Sequence, residues 1–228
     1  MSRFQTQTLS CPSCGESVEF EAVISVNADR RPDLREAILD RSFQRQDCPK
    51  CGTSFRLDPA MNYLDVGRGQ WIAAFPIAKL GQWKTMEEQA GSTFARAYGE
   101  KASVAARSIG SGLQARVTFG WAALREKLLA AENQLDDANL ELVKTAILRG
   151  LDNSPMGAET ELRLVAVEGS ELVMAWTRAV NEEIVEGLRV PRSMYDEIAA
   201  DSAGWQALRE ELSAGLFVDM NRLLVSTA

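Results

Sequence analysis

The clearest pattern in the chain is an alternation that starts at Val18. Val18, Phe20, Ala22, Ile24 and Val26 are apolar, with Glu19, Glu21 and Ser25 among the positions between them. A period of two predicts a half-buried strand. Residues 32–39, Pro-Asp-Leu-Arg-Glu-Ala-Ile-Leu, predict a helix with proline in its first turn and acids at its positive end. A short strand is predicted at 54–57. Residues 61–66 and 70–75 predict a hairpin across Gly67-Arg68-Gly69.

Residues 81–92 are polar with two glycines and predict a joint. After it the pattern predicts an alanine-rich helix over 93–109, interrupted at Gly99, and a short extended piece at 116–119. Residues 121–133 predict a strong helix with Leu124, Leu128 and Leu129 along one face. The next helix, capped by Asp136 or Asp137, runs to Arg149 and stops at Gly150. A turn is predicted at 153–157. Alternation at 162–167 and 171–176 around Glu168-Gly169-Ser170 predicts a second hairpin, and 183–190 a third strand before Pro191. Helices are predicted at 192–200, 204–213 and 218–225. Trp121–Leu128 and Trp205–Leu212 echo one another over eight residues. Leu, Arg and Glu are strong helix formers, so the echo is read as convergence rather than a repeat.

The fold class is therefore α+β: an N-terminal antiparallel sheet with an inserted helix, zinc-ribbon-like because two C-P-x-C-G strings at residues 11–15 and 48–52 fall within it, then a region of helices and a short antiparallel sheet. The expected organisation is a metal-binding domain over 1–80, a linker over 81–92 and an α+β domain over 93–228. In the second region the apolar faces through Trp121, Leu124 and Leu128 and through Trp205, Leu208 and Leu212 are expected to build its own core.

Composition changes this picture in two respects. The 228 residues contain no histidine. That excludes the Ser-His-Asp triad, the Cys-His pair and histidine-ligated zinc catalysis. Charge is also uneven. Residues 1–80 carry ten Lys and Arg against ten Asp and Glu, so the whole net charge of −7 lies in the remainder. Nucleic-acid binders normally show a basic stripe. The candidates Arg30, Arg31, Arg35, Arg41 and Arg45 are interleaved with Asp29, Asp33, Glu36, Asp40 and Asp47, which reads as a solvated helix face. No apolar run reaches the ~20 residues a membrane helix needs. The first residues lack a signal peptide's basic and apolar regions. A cytoplasmic protein is expected.

The candidate chemistry lies in two strings, Cys11-Pro12-Ser13-Cys14-Gly15 and Cys48-Pro49-Lys50-Cys51-Gly52, which hold all four cysteines. Two residues between cysteines turn the chain once and aim both sulfurs at one point. Proline fixes φ just inside the turn, and glycine admits the positive φ that follows it. Four thiolates in two such pairs make one tetrahedral metal site, with Cys11, Cys14, Cys48 and Cys51 as ligands. The Cys14–Cys48 gap of 33 residues accommodates an inserted strand and helix. A site with four protein ligands is closed, so the expected cofactor is one structural zinc per chain, with iron as the alternative. The acid pairs Glu87-Glu88, Asp136-Asp137, Glu182-Glu183 and Glu210-Glu211 are not expected to be catalytic, because adjacent helical residues point ~100° apart.

The two C-P-x-C-G knuckles, the strand, PDLREAILD and the YLDVG hairpin resemble the CpXC domain family of bacterial and archaeal proteins over about residues 8–80. FGWAALREKLLAAENQLDDANLELVK and RVPRSMYDEI resemble the later parts of longer proteins of that type. The resemblance implies the four cysteines as ligands and carries over no catalytic residue. The expected function is a non-enzymatic, zinc-stabilised interaction or adaptor protein with a protein partner, and no membrane. The alternatives are a nucleic-acid-binding zinc ribbon and a rubredoxin-like iron electron carrier, which the knuckle pattern partly resembles.

Overall fold

The computed structural model describes residues 2–152, 157, 159–201 and 203–225. The strands are β1 (Arg3–Ser10), β2 (Ser17–Asn27), β3 (Arg45–Asp47), β4 (Ser54–Arg56), β5 (Met61–Asp65), β6 (Gln70–Phe75), β7 (Gln114–Phe119), β8 (Thr160–Glu168), β9 (Glu171–Arg178) and β10 (Ile184–Pro191). The helices are α1 (Pro32–Leu39), α2 (Trp83–Tyr98), α3 (Val104–Gly110), α4 (Gly120–Glu132), α5 (Asp137–Gly150), α6 (Arg192–Ala200), α7 (Gln206–Leu212) and α8 (Asn221–Leu224). The α+β class, the inserted helix and both hairpins agree with the sequence reading. The turn expected at 153–157 lies largely outside the described residues.

The first sheet has the order β1-β2-β5-β6-β7. It is mixed: β1/β2 and β5/β6 are antiparallel, whereas β2/β5 and β6/β7 are parallel. The parallel pairings arise because α1 with the β3–β4 hairpin, and then α2 with α3, carry the chain back across the sheet. Alternation assigns its faces. Met61, Tyr63, Ile72 and Ala74 pack with Leu34 and Ile38 of α1 and with Trp121, Leu124 and Leu128 of α4. Trp71, Ala73, Val117 and Phe119 face the other way, onto Trp83, Met86 and Ala90 of α2 and onto Phe217. Leu124 and Leu128 are fully buried, which contributes about 1.5–3 kcal/mol each.

Three expectations meet a different arrangement. Residues 81–92, read as a linker, lie mostly within α2, whose buried Trp83, Met86 and Ala90 recur at helical spacing. β7 lies beyond that segment, yet it pairs with β6 along six positions. Trp121, Leu124 and Leu128 join the core of the first sheet rather than one confined to the second region, because α4 leaves β7 directly over that sheet. The end of the chain also returns to it, with the Val117 N–H donating to Leu216 O at 2.9 Å.

The second sheet, β10-β9-β8, is antiparallel throughout. Leu162, Leu164, Met174 and Trp176 pack with Leu140, Val143 and Ile147 of α5, and Tyr195, Ile198 and Leu212 complete that core. β8 turns its charged residues, Glu161 and Arg163, away from this core and toward α4. Arg163 there meets Glu126. α4 is thus enclosed between two sheets, and even Arg125, Glu126 and Lys127 are buried.

Candidate metal centre

The two knuckles repeat one backbone geometry. In the first, the turn between β1 and β2, Cys11 N–H donates to Glu16 O at 2.7 Å and Gly15 N–H to Cys11 O at 2.9 Å. In the second, between β3 and β4, Cys48 N–H donates to Thr53 O at 3.0 Å and Gly52 N–H to Cys48 O at 2.9 Å. Gly15 and Gly52 sit at φ 72° and 71°, the left-handed region in which a side chain is strained.

The knuckle tips face one another. Cys11 Sγ lies 3.7 Å from Cys51 Sγ, and Cys14 Sγ lies 3.7 Å from Cys48 Sγ. All four sulfurs fall within 4.8 Å of one another. A tetrahedron with metal–sulfur bonds of about 2.3 Å has sulfur–sulfur edges of about 3.8 Å. The cage therefore fits one ion bound by four thiolates. Cys11 and Cys48 are buried, and they form a small cluster with Val18, against which Phe55 packs. Cys14 and Cys51 are exposed. Lys50 of one knuckle meets Glu16 of the other at 2.7 Å, a surface pair that ties the tips together.

The surroundings charge the thiols unequally. The hydroxyl and backbone N–H of Thr53 lower Cys51 to about 6. The Glu16 backbone lowers Cys14, but partial loss of water around the thiol and hydrogen bonding with the sulfurs of Cys51, Cys11 and Cys48 outweigh it and push Cys14 up to about 12. The first thiolate forms at Cys51 and opposes the next. A cation at the centre removes that repulsion, so metal binding releases protons.

Glu126, Glu141 and Asp219 form a second group close enough to hold an ion, and all three are buried. Their charge is already met by the chain. Lys144 Nζ donates to Glu126 Oε1 at 2.6 Å and to Glu141 Oε1 at 2.8 Å. Arg163 Nη1 lies 3.1 Å from Glu126 Oε1 and 2.5 Å from Asp219 Oδ2. The ammonium and guanidinium take the positions a metal would need. The sequence reading did not single out these residues, although Glu161 and Arg163 alternating with Leu162 and Leu164 are the mark of a strand with a charged inner face.

The acid pairs do not converge. Asp136 caps α5 by accepting the Asn139 N–H at 2.9 Å, while Asp137 is buried against Arg116 and Lys127. Glu182 is buried and Glu183 is exposed. Arg35, read with its neighbours as a solvated face, is instead buried and bonded to Glu132 at 3.1 Å.

No helix among the described residues is long and apolar enough to cross a membrane. No curated protein and no solved structure matches the chain. The family of CpXC proteins matches residues 9–144, more than half of the chain, and the match takes in both knuckles, the sheet from β2 to β7 and α4. With its four cysteines gathered at one point and a match of that length around them, the chain belongs to the CpXC protein family.

Proposed function

We propose that Cys11, Cys14, Cys48 and Cys51 hold one structural zinc, and that the chain is a non-enzymatic interaction or adaptor protein. The observation that carries the reading is the 3.7 Å sulfur spacing in a cage of four protein ligands. Such a site leaves no position for water or substrate, whereas a catalytic zinc keeps one open. The absence of histidine and the divergent acid pairs support the non-enzymatic part. Elemental analysis of the isolated protein is expected to give one zinc per chain and a colourless solution. A red protein with one iron would replace this reading with electron transfer, since tetrahedral thiolate sites accept either metal.

The docking surface is assigned to the acidic region. β10 is an edge strand whose Ile184 and Val185 are 51% and 49% exposed, flanked by Glu183 and Glu186. An apolar patch rimmed by carboxylates selects a basic protein partner. Affinity capture with the full, metal-loaded chain and with an Ile184→Asp variant tests this. The partner should be basic and should be lost with the variant while zinc content is unchanged. A partner retained by the variant but lost with the four cysteines would move the docking face to the knuckles.

Weak nucleic-acid binding is expected. Arg31 is engaged by Asp33 at 2.6 Å and Arg35 is buried, so the basic run offers little to phosphate. A mobility-shift assay at about 0.15 M salt should show no sub-micromolar complex. A tight complex that weakens on replacing Arg30 and Arg31 would promote the nucleic-acid reading.

A further inference from the structure

β4 leaves the second knuckle carrying Arg56 into a place where positive charge is concentrated. Arg56 Nη1 donates to Glu182 Oε2 at 2.6 Å, and its Nε donates to Phe43 O at 2.8 Å. Its guanidinium lies 4.2 Å from the centroid of the Trp121 ring. Arg125 of α4 reaches the same carboxylate from behind, with Nη2 2.5 Å from Glu182 Oε1. One buried carboxylate thus serves two buried arginines, and Arg56 Nη2 and Arg125 Nη1 are left without a partner. Arg45 and Arg41 add two more cations. Arg45 Nε is spent on Arg41 O at 2.7 Å. Burial lowers Arg41, and the charges of Arg125 and Arg45 lower it further against the pull of Glu182. Burial likewise brings Arg56 down to about 10, with Glu182 opposing and Arg125 and Arg45 adding to the fall.

A fold without a use for this charge would be expected to disperse it. Here the chain holds Glu182 at φ 61°, an uncommon conformation for a residue with a side chain, and still supplies too little negative charge. The other carboxylate of the cleft is Asp58, raised by burial against the pull of Arg56. Arg45 and Arg56 line the cleft with Asp58 and Glu182, and Arg41 and Arg125 add charge from outside the lining. Asp40 also acts on Arg56, so four arginines meet three carboxylates, a surplus of positive charge that suits an anion. The cleft has a volume of about 220 Å³. Arg45, Ser54, Arg56, Asn181 and Glu182 line it, so hydroxyl and amide groups stand beside the guanidinium.

We propose that this cleft, between β4 and the β9–β10 connection, binds an oxyanion of the phosphate class, with Arg56 Nη2 as its principal donor and Arg45 and Arg125 as supporting charge. Planar guanidinium groups suit phosphate oxygens better than any other cationic side chain. The proposal is independent of the zinc reading except that the second knuckle positions β4.

The test is isothermal titration calorimetry on the full, metal-loaded chain with inorganic phosphate and with phenyl phosphate, in chloride of matched ionic strength. Asn181→Asp is the decisive variant. Asn181 is exposed, and the Glu183 N–H that its Oδ1 accepts at 3.1 Å can still be accepted by aspartate. The substitution therefore adds a negative charge at the cleft while leaving Arg56, Arg125 and Glu182 in place. The expected result is binding tighter than about 1 mM for at least one probe. Asn181→Asp should weaken it by about tenfold or more, a loss of about 1.4 kcal/mol, with the melting temperature unchanged. Arg45→Gln should weaken it in the same sense. Preference for the ester identifies an esterified phosphate as the natural ligand, and preference for the free anion identifies inorganic phosphate. Binding of neither probe below about 1 mM, or binding indifferent to Asn181→Asp, overturns the proposal and leaves Arg56–Glu182–Arg125 as a clamp between β4 and the second sheet.

Discussion

Cys48→Ser is expected to release the metal and unfold the knuckle region while the rest of the chain stays folded. Cys48 is buried, and its sulfur closes one edge of the cage with Cys14. Structural zinc contributes roughly 10–16 kcal/mol to small metallo-domains. The apolar material around the site cannot replace it, because the local cluster holds only Cys11, Val18 and Cys48, with Phe55 against it. β3 and β4 pair over just three positions. The larger cores on either face of the first sheet contain none of the cysteines. Loss of metal should therefore be felt locally. Hydrogen exchange should lose protection in β3, β4 and the knuckle ends of β1 and β2, while β5, β6 and α4 keep theirs. Arg56 rides on β4, and phosphate binding should fall with the metal. Chelation at neutral pH should reproduce the variant. Because ligand thiols must lose protons, acid should assist the chelator. A Cys48→Ser protein with full metal content and an unchanged melting temperature would defeat the assignment of these ligands.

What the sequence made legible follows from where each element gets its stability. β2, α1, the β5–β6 hairpin and the β8–β9 hairpin carry their own periodicity, and each lies close to where the alternation puts it. The cysteines are legible for a similar reason, since five consecutive residues specify each turn. β1 is not legible. Gln5, Thr6, Gln7 and Thr8 offer no apolar alternation, because this is an edge strand, mostly exposed and held by backbone pairing with β2. α2 was legible in principle. Trp83, Met86 and Ala90 are spaced as a helix face, but the polar composition and two glycines between 81 and 92 outweighed them.

The boundary near residue 80 is a different case. Nothing near residue 80 announces that β7, more than thirty residues later, will complete the same sheet. The pairing is a non-local property of the strand edges. The same holds for α4, whose charged Arg125, Glu126 and Lys127 are buried. They are buried because α5, β8 and the β9–β10 connection bring opposite charges to them and Val218 brings a carbonyl oxygen to Lys127, and those partners lie between about ten and ninety residues away. The arginine cleft was invisible for the same reason: Arg56, Arg125 and Glu182 come from three distant parts of the chain.

Lys144→Met is expected to be the most damaging single change outside the metal centre. Lys144 is fully buried, and its ammonium joins Glu126 to Glu141. Methionine keeps most of the apolar stem and removes the charge, which leaves three carboxylates, Glu126, Glu141 and Asp219, chiefly to Arg163. Breaking a buried pair in this way costs about 3–5 kcal/mol. Urea unfolding should show the loss, and adding Glu141→Gln should recover part of it, since that side chain can still accept the Met220 N–H at its carbonyl oxygen. The acid also sets a pH dependence. Burial raises Glu141 from 4.5 to about 7, against the pull of Lys144 and with Asp219 and Glu126 adding to the rise. Between these values the folded protein keeps a proton that the unfolded chain has released, so stability falls as pH rises through that window. Asp219 works in the opposite sense. Burial opposes its ionisation, but Arg163, Lys144 and Lys127 outweigh that and lower it from 3.8 to about 2, so its contribution is present above 3.8 and is lost as pH falls toward 2. Stability should therefore peak on the acid side of neutrality, between the two windows. Glu141→Gln should flatten the decline from pH 4.5 to 7 and leave the acid limb intact. A variant that keeps the wild-type decline would show that another group carries it.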